Sequence, residues 1–217
     1  MEHRTRPPIS MTMPGDAPVT VAVFDLGNVT VGFDAQQAAN RLRPHCRAQD
    51  QVFDMLFRSE ETRRVELGEI QPLDYYEVAK QRLGFDLSPG EFTRLWSDIF
   101  QLNDGALDLI KRLTGVRKYL LSNTNPAHVE WIAQRFPGLF DPYDRLFLSY
   151  EVGLRKPDPA IFRLVLEASG RPPGEHVFTD DLEANLEPAR ELGMRTILFR
   201  SAEQLRQELE ALGVRAG

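Results

Sequence analysis

Apolar residues follow two rhythms along this chain. Val19–Phe24 is a short continuous apolar run, as expected of a strand covered on both faces. Beyond it the apolar positions return every three or four residues. Ala35–Cys46, Gln51–Ile70, Pro72–Phe85 and Ser88–Gln101 read as successive helices, and nothing among them reads as a buried strand. The stretch "SPGE" at Ser88 supplies an N-cap serine, a proline in the first turn and a glutamate three residues on. From about Asp104 helical and strand patterns alternate. Strands are expected at Lys118–Ser122, Arg145–Ser149, His176–Asp180 and Arg195–Phe199. Helices are expected at Gly105–Gly115, Pro126–Phe136, Pro159–Gly170, Leu182–Gly193 and Ala202–Gly213.

That alternation predicts an α/β fold, a parallel sheet with helices on both faces. The isolated first strand is expected to join the sheet. The helical block of about 34–105 then becomes an insertion folded over one edge, with the core made of 19–33 and 106–217. The 217 residues suffice for a buried core, and 42% hydrophobic with 27% charged residues is the balance of an ordinary globular protein. A net charge of −6 argues against a nucleic-acid partner, while leaving room for a small anionic ligand in a locally positive pocket. The single cysteine, Cys46, excludes an intrachain disulfide and a multi-cysteine zinc site, and reads as a small buried residue on a helix. Residues 1–18 hold four prolines and no apolar run, so they read as a disordered tail without a secretory signal. No stretch approaches a membrane span, and a cytoplasmic location is expected.

Open parallel sheets bind ligands outside the carboxyl ends of their strands. The first strand ends in Asp25, the second in Ser122–Asn125 and the fourth in Thr179–Asp181, while the segment after the third carries Lys156. An acid, a hydroxyl beside turn amides, a lysine and an acidic pair therefore converge on one crevice. That set suits phosphoryl transfer. A carboxylate can attack phosphorus, and a lysine and a hydroxyl can steady the equatorial oxygens. Asp25 with Asp180 or Asp181 could hold Mg²⁺, which prefers oxygen ligands. Each residue alone has a bland reading as a cap, turn or surface charge; their order at successive strand ends is what points to a site.

The stretches "FDLGNV", "LLSNTN", "LRKPDPAIF" and "VFTDDLEANLEPARELGM" resemble, in order, the four motifs of the haloacid dehalogenase superfamily. Within it the chain is most similar to the branch of bacterial α-D-glucose-1-phosphate phosphatase and the N-terminal phosphatase domain of soluble epoxide hydrolase. The resemblance implies a Rossmann-like core with an inserted all-helical cap, and a magnesium-dependent phosphatase acting on a small phosphorylated metabolite such as a sugar phosphate. By position, Asp25 resembles the nucleophile and a magnesium ligand, Ser122 and Asn123 the phosphate-binding motif, and Lys156 the lysine that steadies nucleophile and phosphate. Asp180 and Asp181 resemble the acidic pair that holds the metal, and the backbone carbonyl of Gly27 a further metal ligand.

Gly27 is also where the pattern departs, because most phosphatases of this family carry an aspartate there as general acid and base. Such help is worth about 10²–10⁴ in rate. Its absence either restricts the enzyme to activated leaving groups or calls for a substitute acid. Asp34 is the nearest candidate in the sequence, with capping of the helix that follows as the alternative. Arg58, Arg63 and Arg64 of the cap could steer an anionic substrate or be ordinary solvated charges. Trp96 and Trp131 read as core or contact residues, and the histidines show no metal-ligand spacing. Two other functions remain open at this point: a dehalogenase, which needs no metal and would leave the acidic pair without a purpose, and a non-catalytic binder of a phosphometabolite or a protein.

Overall fold

In the computed structural model, which describes residues 17–217, β1 (Val21–Phe24) is buried at all four positions. A tight turn leads to the short strand β2 (Val31–Phe33). Five helices follow, α1 (Ala35–Leu42), α2 (Val52–Phe57), α3 (Glu60–Glu66), α4 (Pro72–Leu83) and α5 (Pro89–Ser97). The block closes with β3 (Phe100–Leu102), which pairs antiparallel with β2. Alternation then sets in with α6 (Asp104–Arg112), the short β4 (Leu113–Thr114), β5 (Arg117–Ser122), α7 (Pro126–Arg135) and β6 (Arg145–Leu148). After it come the single turn α8 (Ser149–Val152), α9 (Pro159–Ser169), β7 (His176–Asp180), α10 (Glu183–Glu191), β8 (Arg195–Leu198), α11 (Ala202–Ala211) and β9 (Arg215–Ala216), the last antiparallel to β4.

The main sheet has the order β6-β5-β1-β7-β8, and every pairing in it is parallel. Successive β1 residues feed opposite faces. Ala22 and Phe24 join a cluster with Leu109 of α6 and Leu205 of α11, whereas Val21 and Val23 join Ile161 and Phe162 of α9 and Leu186 of α10. Burial on both faces is why the strand reads as a continuous apolar run. The chain leaves β1 toward β5 and leaves β7 toward β8, although β1 and β7 are neighbours. Their carboxyl ends therefore diverge, and the crevice between them is the topological switch point of the sheet.

A third apolar cluster belongs to the insertion. Leu42, Leu56, Tyr75, Leu83, Phe92 and Trp96 are among its buried members, and Ala127 of α7 joins it from the other side. The expected helix over Gln51–Ile70 is broken at Ser59. The Ser59 hydroxyl bonds back to the Met55 carbonyl at 2.8 Å and caps α3 by accepting from the Thr62 amide at 3.1 Å. The expected helix over Ala35–Cys46 ends at Leu42, and Pro44 lies in the 3₁₀ turn that follows. Cys46, just after that turn, is buried and donates its thiol to the Leu42 carbonyl. The anticipated serine–glutamate capping box at Ser88 is present at the head of α5. Helical periodicity did not reveal the β2–β3 ribbon, whose three-residue strands are too short to show a period. The reading of residues 1–18 as a disordered tail lies outside the described residues, apart from Ala17 and Pro18. No described helix is long and apolar enough to cross a membrane.

Candidate active site

Asp25 follows β1 directly and is held by backbone on both sides. Its amide donates to the Thr179 carbonyl of β7 at 2.9 Å, and its own Oδ1 accepts from the Leu26 amide at 2.7 Å. The Thr30 hydroxyl donates to the Asp25 carbonyl at 2.9 Å and also meets the Tyr143 hydroxyl at 2.8 Å, which ties the following turn to the core. Within that turn Asn28 takes a left-handed conformation with φ of 56°, which asparagine tolerates better than most side chains. Its side-chain amide donates to Asp181 Oδ2 at 2.8 Å.

Asp180, at the end of β7, is fully buried. It accepts from the Leu182 amide at 2.9 Å and from the Asn185 side chain of α10 at 2.9 and 3.1 Å. Lys156 reaches both neighbouring strands, with Nζ 2.7 Å from Asp25 Oδ1 and 2.6 Å from Asp180 Oδ2. Its backbone is clamped by Asn123, whose side chain accepts from the Lys156 amide and donates to the Lys156 carbonyl, both at 2.8 Å. Asn123 thus fixes the lysine, a role its place in the sequence does not announce.

Burial pushes the Asp25 carboxyl up to about 7, against the pull of Lys156 and with the help of Asp180. Burial also opposes the Lys156 charge, but Asp25 and Asp180 outweigh it and hold the ammonium above its ordinary pKa. Asp181 is raised chiefly by burial. One carboxylate oxygen from each of Asp25, Asp180 and Asp181 lies within 4.8 Å of the others, and the Lys156 ammonium bridges the first two. This oxygen-only, charge-deficient set fits a magnesium ion, and a cation there favours ionised carboxylates.

These residues form the floor of a cavity of about 430 Å³ that Gly27, Ser122 and Asn123 also line. Phe33, Leu56, Phe57, Trp96 and Phe100 give it an apolar wall. Two polar features of that wall come from opposite sides of the seam. Glu66 at the end of α3 pairs with Arg155, the residue before Lys156, at 2.9 Å. His128, in the first turn of α7, packs its ring against Trp96 and Phe100, and its buried Nε2 has no hydrogen-bond partner among the described residues. Burial drives the His128 pKa down to about 3, so the ring is neutral.

The structure places Asp25, Gly27, Ser122, Asn123, Lys156 and Asp181 on the cavity, with Asp180 directly beneath it through Lys156. Asp34 is not among the lining residues; its carboxylate caps α1 by accepting from the Gln37 amide at 3.0 Å. Arg58, Arg63 and Arg64 lie on exposed surface, paired with Asp54, Glu60 and Glu69, and none lines the cavity. Trp96 is the core residue expected, while Trp131 is half-buried. The sequence reading missed Asn28, Asn185, Glu66, Arg155 and His128.

A model of the haloacid dehalogenase-like hydrolase family matches residues 20–193, a span that contains the whole cavity floor. The chain belongs to that family. One relative of this haloacid dehalogenase-like hydrolase is the D-ribitol-5-phosphate phosphatase of Bacteroides thetaiotaomicron. It is 30% identical over 200 residues, covering 88% of this chain and 96% of the relative. Bifunctional epoxide hydrolase 2 of Rattus norvegicus is 43% identical over 79 residues, which are 36% of this chain and 14% of that protein. Among solved structures, a HAD family enzyme from Bacteroides thetaiotaomicron in complex with magnesium and inorganic phosphate superposes with a TM-score of 0.77. The identity is 26%, over 84% of this chain and 95% of the other.

Proposed function

We propose that this hydrolase is a magnesium-dependent phosphatase that cleaves a small phosphomonoester through a phosphoryl-aspartate on Asp25. The observation that carries this reading is the meeting of Asp25, Asp180 and Asp181 at one end of the cavity, with Lys156 bridging the first two. Asp25 is the nucleophile, its Oδ1 held in place by the Leu26 amide and Lys156. Lys156 offsets charge on the nucleophile and the incoming phosphate, and Asn123 keeps the lysine in position. Ser122 and Asn123 contact the phosphate from the end of β5. Asp25, Asp180 or Asp181, and the Gly27 carbonyl are the groups that would hold magnesium. When bound, the ion neutralises the phosphate and keeps the carboxylates ionised. The insertion 34–105 acts as the cap, closing the apolar wall over the substrate and excluding water.

The substrate is a phosphorylated metabolite with a compact body, acted on in the cytoplasm. A polyol or sugar phosphate is the first class to try, given the ribitol-phosphate relative. A dehalogenase would leave the Asp180–Asp181 pair without a purpose, and a non-catalytic binder would not need a nucleophile so firmly oriented. The test is phosphate release from a panel of sugar, polyol and aryl phosphates, with magnesium and with EDTA. Release that needs magnesium supports the proposal. A folded, magnesium-binding protein that releases no phosphate from any of them overturns it.

A further inference from the structure

We infer that Glu66, carried by the cap, donates the proton to the leaving group and so stands in for the carboxylate absent at Gly27; this rests on the phosphatase reading above. At Gly27 an added Cβ would meet nothing within 4 Å among the described residues, so the position opens on the cavity. The acid has to come from another wall. Among the described residues, the titratable side chains lining the cavity are Asp25, Glu66, His128, Arg155, Lys156 and Asp181. Asp25 is the nucleophile, and Asp181 is tied to Asn28 and belongs to the acidic cluster that would hold the metal. Lys156 is engaged by two carboxylates, and an arginine does not release its proton. His128 is neutral and wedged between Trp96 and Phe100, with Nε2 sealed from the cavity by burial. Glu66 is the carboxyl that remains.

Its placement suits the task. Glu66 is held at 2.9 Å by Arg155, whose neighbour Lys156 touches the nucleophile. Two residues beyond Glu66, Gly68 sits so close to the core that an added Cβ would collide with the Tyr150 carbonyl oxygen. The end of α3 is therefore seated firmly against α8. Burial favours the protonated form of Glu66 and outweighs the opposing pull of Arg155.

In the first half-reaction an Asp25 oxygen forms a bond to phosphorus while the ester P–O bond breaks. The bonding pair goes to the leaving oxygen, which takes the Glu66 proton and departs as an alcohol. In the second, water attacks phosphorus and passes a proton to a phosphoryl oxygen, while Glu66 takes its proton back from solvent. The bond from phosphorus to Asp25 breaks with its electron pair returning to the carboxylate, and phosphate is released.

A leaving group that departs readily as an anion needs no such donor, and this supplies the test. Wild type, Glu66→Gln and Glu66→Asp are compared with magnesium on 4-nitrophenyl phosphate and on the best alkyl phosphate of a sugar and polyol panel. Glu66→Gln keeps the side-chain shape and a hydrogen bond to Arg155. Glu66→Asp keeps the carboxyl and withdraws it by one methylene. The expected result is a loss in kcat of about 10²–10⁴ on the alkyl ester in Glu66→Gln, with less than about a fivefold change on the aryl ester. Glu66→Asp is expected to show the same selectivity in milder form. Equal losses on both esters make Glu66 a purely structural tie and overturn the assignment, as does no loss on either. Wild-type release from the aryl ester alone overturns the assignment but leaves the phosphatase reading standing; wild-type release from neither overturns both.

Discussion

At the floor of the cavity every charged side chain has partners fixed by the main chain, whereas the wall above it is largely apolar with one ion pair across a seam. Asp25, Lys156 and Asp180 sit at the ends of strands or in a loop clamped to one, and each is also held through a backbone or side-chain amide. On the wall, Phe33 and Phe100 stack at 5.9 Å in a ribbon of three-residue strands, and Glu66 meets Arg155 from a different layer of the molecule. The difference separates two tasks. A rigid parallel sheet holds groups that must be placed to within a fraction of an ångström, and the helical insertion supplies most of the apolar wall.

Changes at the floor are expected to outweigh changes elsewhere. Asp25→Asn removes the nucleophile and should lower kcat by about 10⁴-fold or more in a phosphate-release assay, with the fold retained by circular dichroism. Magnesium at a hundredfold excess over its dissociation constant should stabilise the protein by about 2.7 kcal/mol. That raises the midpoint of thermal unfolding by roughly 5–10 °C, and Asp180→Asn should abolish most of the rise. At the seam, Gly68→Ala forces a side chain onto the Tyr150 carbonyl at a left-handed φ of 72°. A destabilisation of about 2 kcal/mol is expected, read by urea unfolding.

His128 gives a pH signature. Its folded pKa of about 3 lies below the value of about 6.5 in the unfolded chain, so the unfolded state binds the extra proton as pH falls. The stability is fully present above about 6.5 and declines below it by up to about 1.4 kcal/mol per pH unit, a slope that His128→Phe should reduce. The smallest effect is expected on the cap surface. Replacing Arg58, Arg63 and Arg64 together by alanine should change kcat/KM less than about threefold, since their ion pairs are exposed. A large loss there would move substrate steering out of the cavity.

The floor was legible in the sequence because Asp25, Ser122 and Asp180 stand at the ends of recognisable apolar strands, with Lys156 in the segment after another, and a parallel sheet brings all such ends to one side. Asn28 and Asn185 were not, because asparagines in a turn or a helix start have ordinary local reasons to be there. Glu66 and Arg155 belong to segments that carry no shared pattern, and only the docking of α3 on α8 brings them together. His128 follows a capped helix start that explains its neighbours but not its own ring. Sequence proximity pointed to Asp34 as the substitute acid. The carboxylate instead serves the first turn of α1, where a side-chain acceptor satisfies an otherwise free amide.

The central claim is that phosphate passes through Asp25, and the direct measurement is acid quenching of a single turnover followed by peptide mass spectrometry. The account predicts a phosphoryl group on the peptide that contains Asp25, formed with magnesium and absent with EDTA or in Asp25→Asn. Phosphate release without that adduct, in a turnover slow enough to sample, would contradict it, as would a phosphoryl group on any other residue.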